Sequence, residues 1–310
     1  MALSFSNSSP RGIVGLDLDG SFLAAVQVQN DGIATAVSTD LPPGLISEGE
    51  VTDAAALSDA LKAFFKGHAL PRRVRLGVAN QQIVVRTLEL PRIEDAKERE
   101  AAVRFQAAEA IAMPLDEVVL DHQVIGEAIS EEGAARMRIV VVAAREAMIG
   151  RLIDAVSGAG LKTEGIDLNA FALVRTLADA EATEENARVF CHLGGVTNLA
   201  VAIGNSCLFT RPLSTVWDLP SENVAAALAE EIRPSIDFYM SQPDAPWVGD
   251  VVLSGPGAVR DGLAEELSGL IGLPVSVAEP LGRLNQGSLP DTEDPYRHTV
   301  AAGLALGATA

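Results

Sequence analysis

The chain is poor in the residues that most binding and catalytic chemistries need. Its 310 residues include two cysteines and four histidines, and 23 basic residues face 42 acidic ones for a formal charge of −19. Cys191 and Cys207 are too few for a disulfide framework, so buried free thiols are expected. His68, His122, His192 and His298 are scattered, with no ligand spacing to cysteine or acid, so the sequence offers no zinc-type metal set. Nonspecific DNA binding and attraction to anionic lipid both use basic patches, which so acidic a chain is expected to lack. No window approaches the ~18 apolar residues that span a bilayer. Residues 1–10 lack a basic region leading into an apolar core, so no export signal is expected and the cytoplasm is the expected compartment. Two catalytic loops are missing as well. Without Gly-x-x-x-x-Gly-Lys-Ser/Thr this is no P-loop enzyme, and without Gly-x-Ser-x-Gly it has no nucleophile elbow.

What is present begins with a repeat. Ile13-Val-Gly-Leu-Asp-Leu-Asp-Gly-Ser-Phe-Leu-Ala-Ala-Val-Gln-Val28 and Val189-Phe-Cys-His-Leu-Gly-Gly-Val-Thr-Asn-Leu-Ala-Val-Ala-Ile203 read as one design. Each is an apolar strand, a turn of small residues, a second apolar strand and a polar turn. Superposed, Asp17 meets His192, Gly20 meets Gly195, Val26 meets Val201, Val28 meets Ile203 and Asn30 meets Asn205. Such a pair predicts two related half-domains, each aiming backbone N–H groups at a shared cleft, as phosphate-binding turns do. The plainer alternative is a set of tight turns that small residues make cheaply.

Between the repeats, Leu57, Leu61, Phe64 and Phe65 share one face of a helix over 53–65. Strands are expected over 73–79 and 82–90, about Asn80. A helix over 94–113 starts on the acidic pair Glu94-Asp95 and keeps Val103, Ala107, Ala110 and Ile111 on its core face up to Pro114. Strands at 118–125 and 137–143 follow, then a helix with Ile149, Leu152, Ile153 and Val156 inward, stopped by Gly158 and Gly160. Another helix covers 167–177. In the second half Ser221 is the expected cap of a helix reaching Gln242, which Pro234 should kink or restart. A buried strand over 250–254 feeds a Gly255-Pro-Gly257 turn and a helix carrying Val259, Leu263, Leu267 and Leu270. A strand over 275–277 and a small-residue helix over 299–308 close the chain.

Three turns are the candidate nucleotide site: Asp17, Asp19, Gly20 and Ser21 in the first, Gly194, Gly195 and Thr197 in the second, Gly255 and Gly257 in the third. The third follows a strand end, where open α/β sheets bind ligands. Asp17 and Asp19 are the carboxylates placed to hold Mg²⁺ beside phosphates. Asp17 is the expected ligand should nucleotide bind, and Asp19 is expected to cap its turn instead. A neutral His192 cannot position a hydrolytic water as a carboxylate would, so a structural role is expected for it.

These hairpins, with a late Ser254-Gly-Pro-Gly turn, resemble the actin/Hsp70/sugar-kinase ATPase fold. Arg104-Phe-Gln-Ala-Ala-Glu-Ala-Ile-Ala-Met-Pro-Leu-Asp-Glu-Val-Val-Leu-Asp-His-Gln-Val-Ile-Gly126 is more specific and resembles the hallmark segment of the PilM family, FtsA-like cytoplasmic proteins of type IV pilus assembly. Arg86-Thr-Leu-Glu-Leu-Pro91, Val141-Val-Ala-Ala-Arg145, Asp167-Leu-Asn-Ala-Phe-Ala-Leu173, Ile236-Asp-Phe-Tyr239 and Ala301-Ala-Gly-Leu-Ala-Leu306 agree, in collinear order. The resemblance implies a duplicated, ribonuclease-H-like two-lobed α/β fold. Its expected parts are a disordered 1–10, a first lobe of 11–72 with 164–187, an FtsA-like insert of 73–163, and a shortened second lobe of 188–310.

The resemblance also implies a partner. PilN, a bitopic membrane protein, would lay its cytoplasmic N-terminal peptide in a groove between first lobe and insert, joining the inner-membrane platform proteins to the pilus assembly ATPase. Arg104, Gln106, Glu109 and Pro114 are the candidate partner-binding residues. Departures from the family's pattern weaken nucleotide binding. Ala24 stands where a Lys is usual, His192 where an Asp is usual, Pro256 where a Gly is usual, and the stretch from Phe209-Thr-Arg211 to Ser221 is short. ATP with Mg²⁺ is therefore expected weakly or not at all, and hydrolysis is not expected. The rival readings are a working actin-like ATPase or small-molecule kinase, and an FtsA-like filament-forming cell-division protein. The latter family ends in an amphipathic membrane-targeting helix, which 299–310 is not.

Overall fold

The computed structural model describes residues 12–29, 32–129, 133–178, 186–214, 224–242, 245–282, 284 and 293–307. Residues 1–10, Asn30 and the expected cap Ser221 lie outside the described residues. The first part of the chain forms β1 (Val14–Leu18), β2 (Phe22–Gln29), β3 (Gly32–Asp40), the two-residue strands β4 (Ile46–Ser47) and β5 (Glu50–Val51), helix α1 (Ala54–Gly67) and β6 (Arg73–Val78). Then come β7 (Val84–Pro91), α2 (Ala96–Ala110), β8 (Val118–Ile129), β9 (Ala135–Arg145), α3 (Glu146–Gly158), β10 (Lys162–Leu168) and α4 (Asn169–Leu177). The rest is β11 (Ala187–His192), β12 (Asn198–Ile203), β13 (Ser206–Pro212), α5 (Val224–Met240), β14 (Val248–Ser254), α6 (Leu263–Ile271), β15 (Val275–Val277) and α7 (Thr299–Leu306).

Two five-stranded sheets carry the duplication. One runs β10-β6-β1-β2-β3 and the other β15-β14-β11-β12-β13, the same order read along each. In both, the first hairpin is antiparallel and its leading strand pairs in parallel with the strand after the helix. Even a bulge recurs. The β2–β3 ladder slips between Gln27 and Val28, and the β12–β13 ladder slips between Val201 and Ala202.

Pairing also corrects the sequence superposition past the turn. Asp17 faces Ala24 across its hairpin while His192 faces Asn198, so the second turn is one residue shorter. Val26 therefore corresponds to Ala200, not Val201. A slip of one reverses a strand's faces, and Val201 indeed packs on the outer core while Ala200 faces the other lobe.

Helices α4 and α7 are exchanged between the sheets. Ala301, Ala302 and Ala305 of α7 cover Phe22, Ala24 and Val26 of the first sheet. Ala170, Leu173 and Val174 of α4 cover Phe190, Ala200 and Ala202 of the second. The two helices meet through Ala172, Val300 and Leu304. Small residues allow this: a Cβ on Gly303 would overlap the Ala172 carbonyl. That explains a closing helix that is apolar on all sides, since it is buried all round.

The expected insert 73–163 does not hold together as one unit. β6 lies inside the first sheet between β1 and β10, and Met148, Leu152 and Val156 of α3 pack with Leu57, Leu61 and Phe65 of α1 in the first lobe's core. The separate body is the three-stranded sheet β7-β9-β8 with α2 on one face. Other expectations shift as well. Residues 162–168 pair with β6 as an edge strand, so the helix expected from 167 begins at Asn169, α2 stops at Ala110 before Pro114, and Ile153 is exposed. Helix α5 continues through Pro234 without a restart. A short 3₁₀ turn over Pro256–Val259 precedes α6, leaving Val259 exposed.

Candidate functional site

The three predicted turns meet between the lobes, and they bind one another. Asp19 Oδ2 accepts a hydrogen bond from the Gly195 N–H at 2.6 Å across the cleft, and Oδ1 accepts from Ser21 Oγ at 3.0 Å. Leu193 N–H donates to the Ser254 carbonyl at 2.8 Å, and Gly257 N–H to the Leu193 carbonyl at 3.1 Å. Backbone donors of the kind that cradle phosphate are thus taken by protein acceptors, one of them a carboxylate. Asp19 does more than cap its own turn, because it joins lobe to lobe. The approach is close enough to require glycine at 195, where a Cβ would overlap the Asp19 carbonyl. Thr197 is buried, and its carbonyl accepts from Leu213 N–H at 2.8 Å. Beside these turns lies a cavity of ≈ 20 Å³ lined in part by Asp19, Gly77, Asn169 and Val196, room for about one water.

Asp17 is buried at the end of β1 and, among the described residues, its side chain accepts a long bond, 3.4 Å, from Asn169 Nδ2. Burial, then the neighbouring Asp19, holds its carboxyl well above the ordinary value. Burial also raises Asp19 to about 6, against the hydrogen bonds from Gly195 and Ser21 that oppose the rise. His192, at the matching place in the second lobe, is buried, and burial lowers it to about 4, so it is neutral near pH 7. Its Nδ1 lies 3.0 Å from Ser254 Oγ. The structural role expected for this histidine is consistent with that bond. The two thiols are buried and pushed up to about 12, which leaves them unreactive.

A second concavity separates the small sheet from the first lobe. This cleft of ≈ 350 Å³ is lined by Asp121 and Gln123 of β8, Val140 and Val142 of β9, Ile166 of β10, and Phe171 and Arg175 of α4. Both β8 and β10 are edge strands. Arg75 and Arg175 converge on one carboxylate, Asp167, at 3.5 and 3.0 Å, and Asp121 lies in the same lining.

None of Arg104, Gln106, Glu109 and Pro114 lines this cleft. Helix α2 packs Val103 and Ala107 on Ile139, Val141 and Ala143, whereas Val140 and Val142 point the other way. Alternation along a strand puts the helix and the cleft on opposite faces. Arg104 donates instead to the Leu115 carbonyl at 3.2 Å. The cleft residues Gln123, Phe171 and Arg175 escaped the sequence reading. The available signal was the unbroken apolar run Ile139–Ala143, which marks a strand covered on both faces.

The family model for type IV pilus assembly protein PilM matches residues 15–212, well over half of the chain. The chain belongs to that family. A solved structure, the PilM–PilN type IV pilus biogenesis complex, is similar over 97% of this chain and 99% of that one, at 25% identity and a TM-score of 0.79. Two more distant structures share the fold alone. Ethanolamine utilization protein EutJ from Carboxydothermus hydrogenoformans is 14% identical with a TM-score of 0.53, covering 96% of this chain and 90% of that one. MreB5 of Spiroplasma citri bound to AMPPNP is 11% identical with a TM-score of 0.51, covering 96% and 95%. The fold is the actin-like one, as its duplicated sheets indicate. Among the described residues, no helix of this family member is long and apolar enough to cross a membrane.

Proposed function

We propose that this chain is a non-catalytic scaffold of type IV pilus assembly, holding the extended cytoplasmic N-terminal peptide of a PilN-type partner in the cleft between the small sheet and the first lobe. The observation that carries the reading is that cleft: two strand edges, β8 and β10, with no neighbouring strand among the described residues, flank an apolar floor of Val142, Ile166 and Phe171. An extended segment gains main-chain hydrogen bonds by adding to such an edge, with alternate side chains entering the floor. The related PilM–PilN complex supports the choice of partner. Through it the chain would be drawn to the inner membrane and linked to the assembly ATPase. Nucleotide is at most a weak ligand in this reading, because the Asp19 carboxylate already occupies the Gly195 N–H.

Substitution tests this better than deletion, since removing 73–163 would also remove β6 and α3 from the first lobe's core. Gln123 is exposed on the cleft strand. In calorimetric titration with the partner's N-terminal peptide, Gln123→Trp should weaken binding at least tenfold with the melting temperature unchanged. Gln81→Trp, in the groove between β7 and β13, should leave binding intact. The reverse pattern would refute the assignment.

A further inference from the structure

Asp17, Asp19 and His192 meet from opposite lobes, and peptide capture gives them no role. One oxygen from each carboxylate and one ring nitrogen lie within 4.8 Å of one another. All three residues are buried, at 1%, 7% and 4% exposure. Buried polar atoms are normally hydrogen-bonded, yet His192 Nε2 has no partner among the described residues. Its other nitrogen is held by Ser254 Oγ. With the proton on Nδ1, that bond leaves the Nε2 lone pair bare. This is the arrangement of a ligating histidine, whose far nitrogen is fixed by a supporting group.

We propose that Asp17, Asp19 and His192 bind one divalent first-row transition ion of the Zn²⁺ or Mn²⁺ class, without nucleotide, and that the ion clamps the two lobes together. When ionised, two carboxylates this deeply buried need a compensating charge. Arg297, the cation whose field reaches Asp19, is itself engaged by Asp40 at 2.8 Å and Asp294 at 3.9 Å. A divalent ion between the carboxylates supplies that charge. The mixed oxygen and imidazole set selects the metal. Mg²⁺ prefers all-oxygen octahedra with several waters, and copper(I) prefers sulfur. At bond lengths near 2.1 Å, tetrahedral ligand atoms stand about 3.4 Å apart, so side-chain rotations must draw the spread of up to 4.8 Å inward by as much as about 1.4 Å. Gly195 N–H can stay on Asp19 Oδ2, because a carboxylate oxygen has a second lone pair. The superposition of Asp17 on His192 put the two at matching strand ends, but their spacing along the chain is not that of a ligand set, and only the approach of the lobes joins them.

The test uses the full chain, stripped with EDTA and free of nucleotide. Titration with Zn²⁺ should show one site and a raised melting temperature, and Co²⁺ should give ligand-field bands of a nitrogen-containing site. His192→Gln should weaken Zn²⁺ by at least about 100-fold and Ser254→Ala by about tenfold, while His122→Gln changes nothing. Asp17→Asn is a second ligand variant that avoids the histidine's packing. Absence of Zn²⁺ binding to the wild-type chain, or binding unaltered in both His192→Gln and Asp17→Asn, would overturn the proposal. So would binding that appears only with nucleotide present.

Discussion

Replacing Gly195 with alanine asks whether the two lobes are held by the contact between their turns. The added methyl would lie 2.6 Å from Asp19 Oδ1 and overlap the Asp19 carbonyl, so backbone must move and not merely a flexible side-chain end. Overpacking of this kind costs about 1–3 kcal/mol. Moving the turns apart also loses the Gly195 N–H to carboxylate bond, and hydrogen bonds to charged groups are worth about 1.5–3 kcal/mol. The two costs overlap, so roughly 3–5 kcal/mol is expected in total. For a chain of this size about 2 °C is lost per kcal/mol, so the melting temperature should fall by roughly 6–10 °C. The measurement is thermal unfolding in EDTA, which removes any stabilisation by bound metal. Gly269→Ala is the control: it lies within α6 with nothing inside 4 Å of the added Cβ, and it should be neutral or stabilising by less than about 1 kcal/mol. A fall of less than about 2 °C for Gly195→Ala would mean that the turns do not hold the lobes.

Two further outcomes follow from the same cluster. Both aspartates have carboxyls raised above the ordinary 3.8, Asp19 to about 6. The folded chain therefore binds protons more readily than the unfolded one. The stability this provides is fully present below about pH 4 and is lost as pH rises through about 6. In EDTA, Asp17→Asn should gain stability relative to wild type as pH rises above the ordinary carboxylate range, and an advantage independent of pH would refute the assignment of the slope to this group. Mg·ATP titrated into the wild-type chain should show neither saturable binding in the low-micromolar range nor phosphate release; tight binding would favour the ATPase reading.

What the sequence determined by itself was local. Period-two and period-four apolar patterns select strands and helices, and they were legible wherever one face was buried, as in the pair of hairpins and in α1 and α2. The cysteine count was enough to exclude a disulfide framework, and the missing Gly-x-x-x-x-Gly-Lys-Ser/Thr motif to exclude P-loop chemistry. The edge strand β10 was not legible, because Lys162-Thr-Glu-Gly-Ile-Asp-Leu carries few apolar residues and owes its extended form to pairing with β6. The extent of the insert was hidden for a related reason: β6 looks like its neighbours in sequence, and only sheet order assigns it to the first lobe.

Only the tertiary structure decided where the candidate sites lie. Asp19 could be read as a turn cap, but its acceptance of a bond from Gly195 depends on how two lobes approach, which no local pattern encodes. His192 reads alone as a histidine at a strand end; folding brings it to two carboxylates far away in the chain. The cleft likewise depends on which face of the small sheet α2 covers, and that left Val142 rather than Arg104 beside the first lobe. Periodicity fixes which residues share a face, whereas the identity of the facing surface is settled by long-range packing that buries the most apolar area.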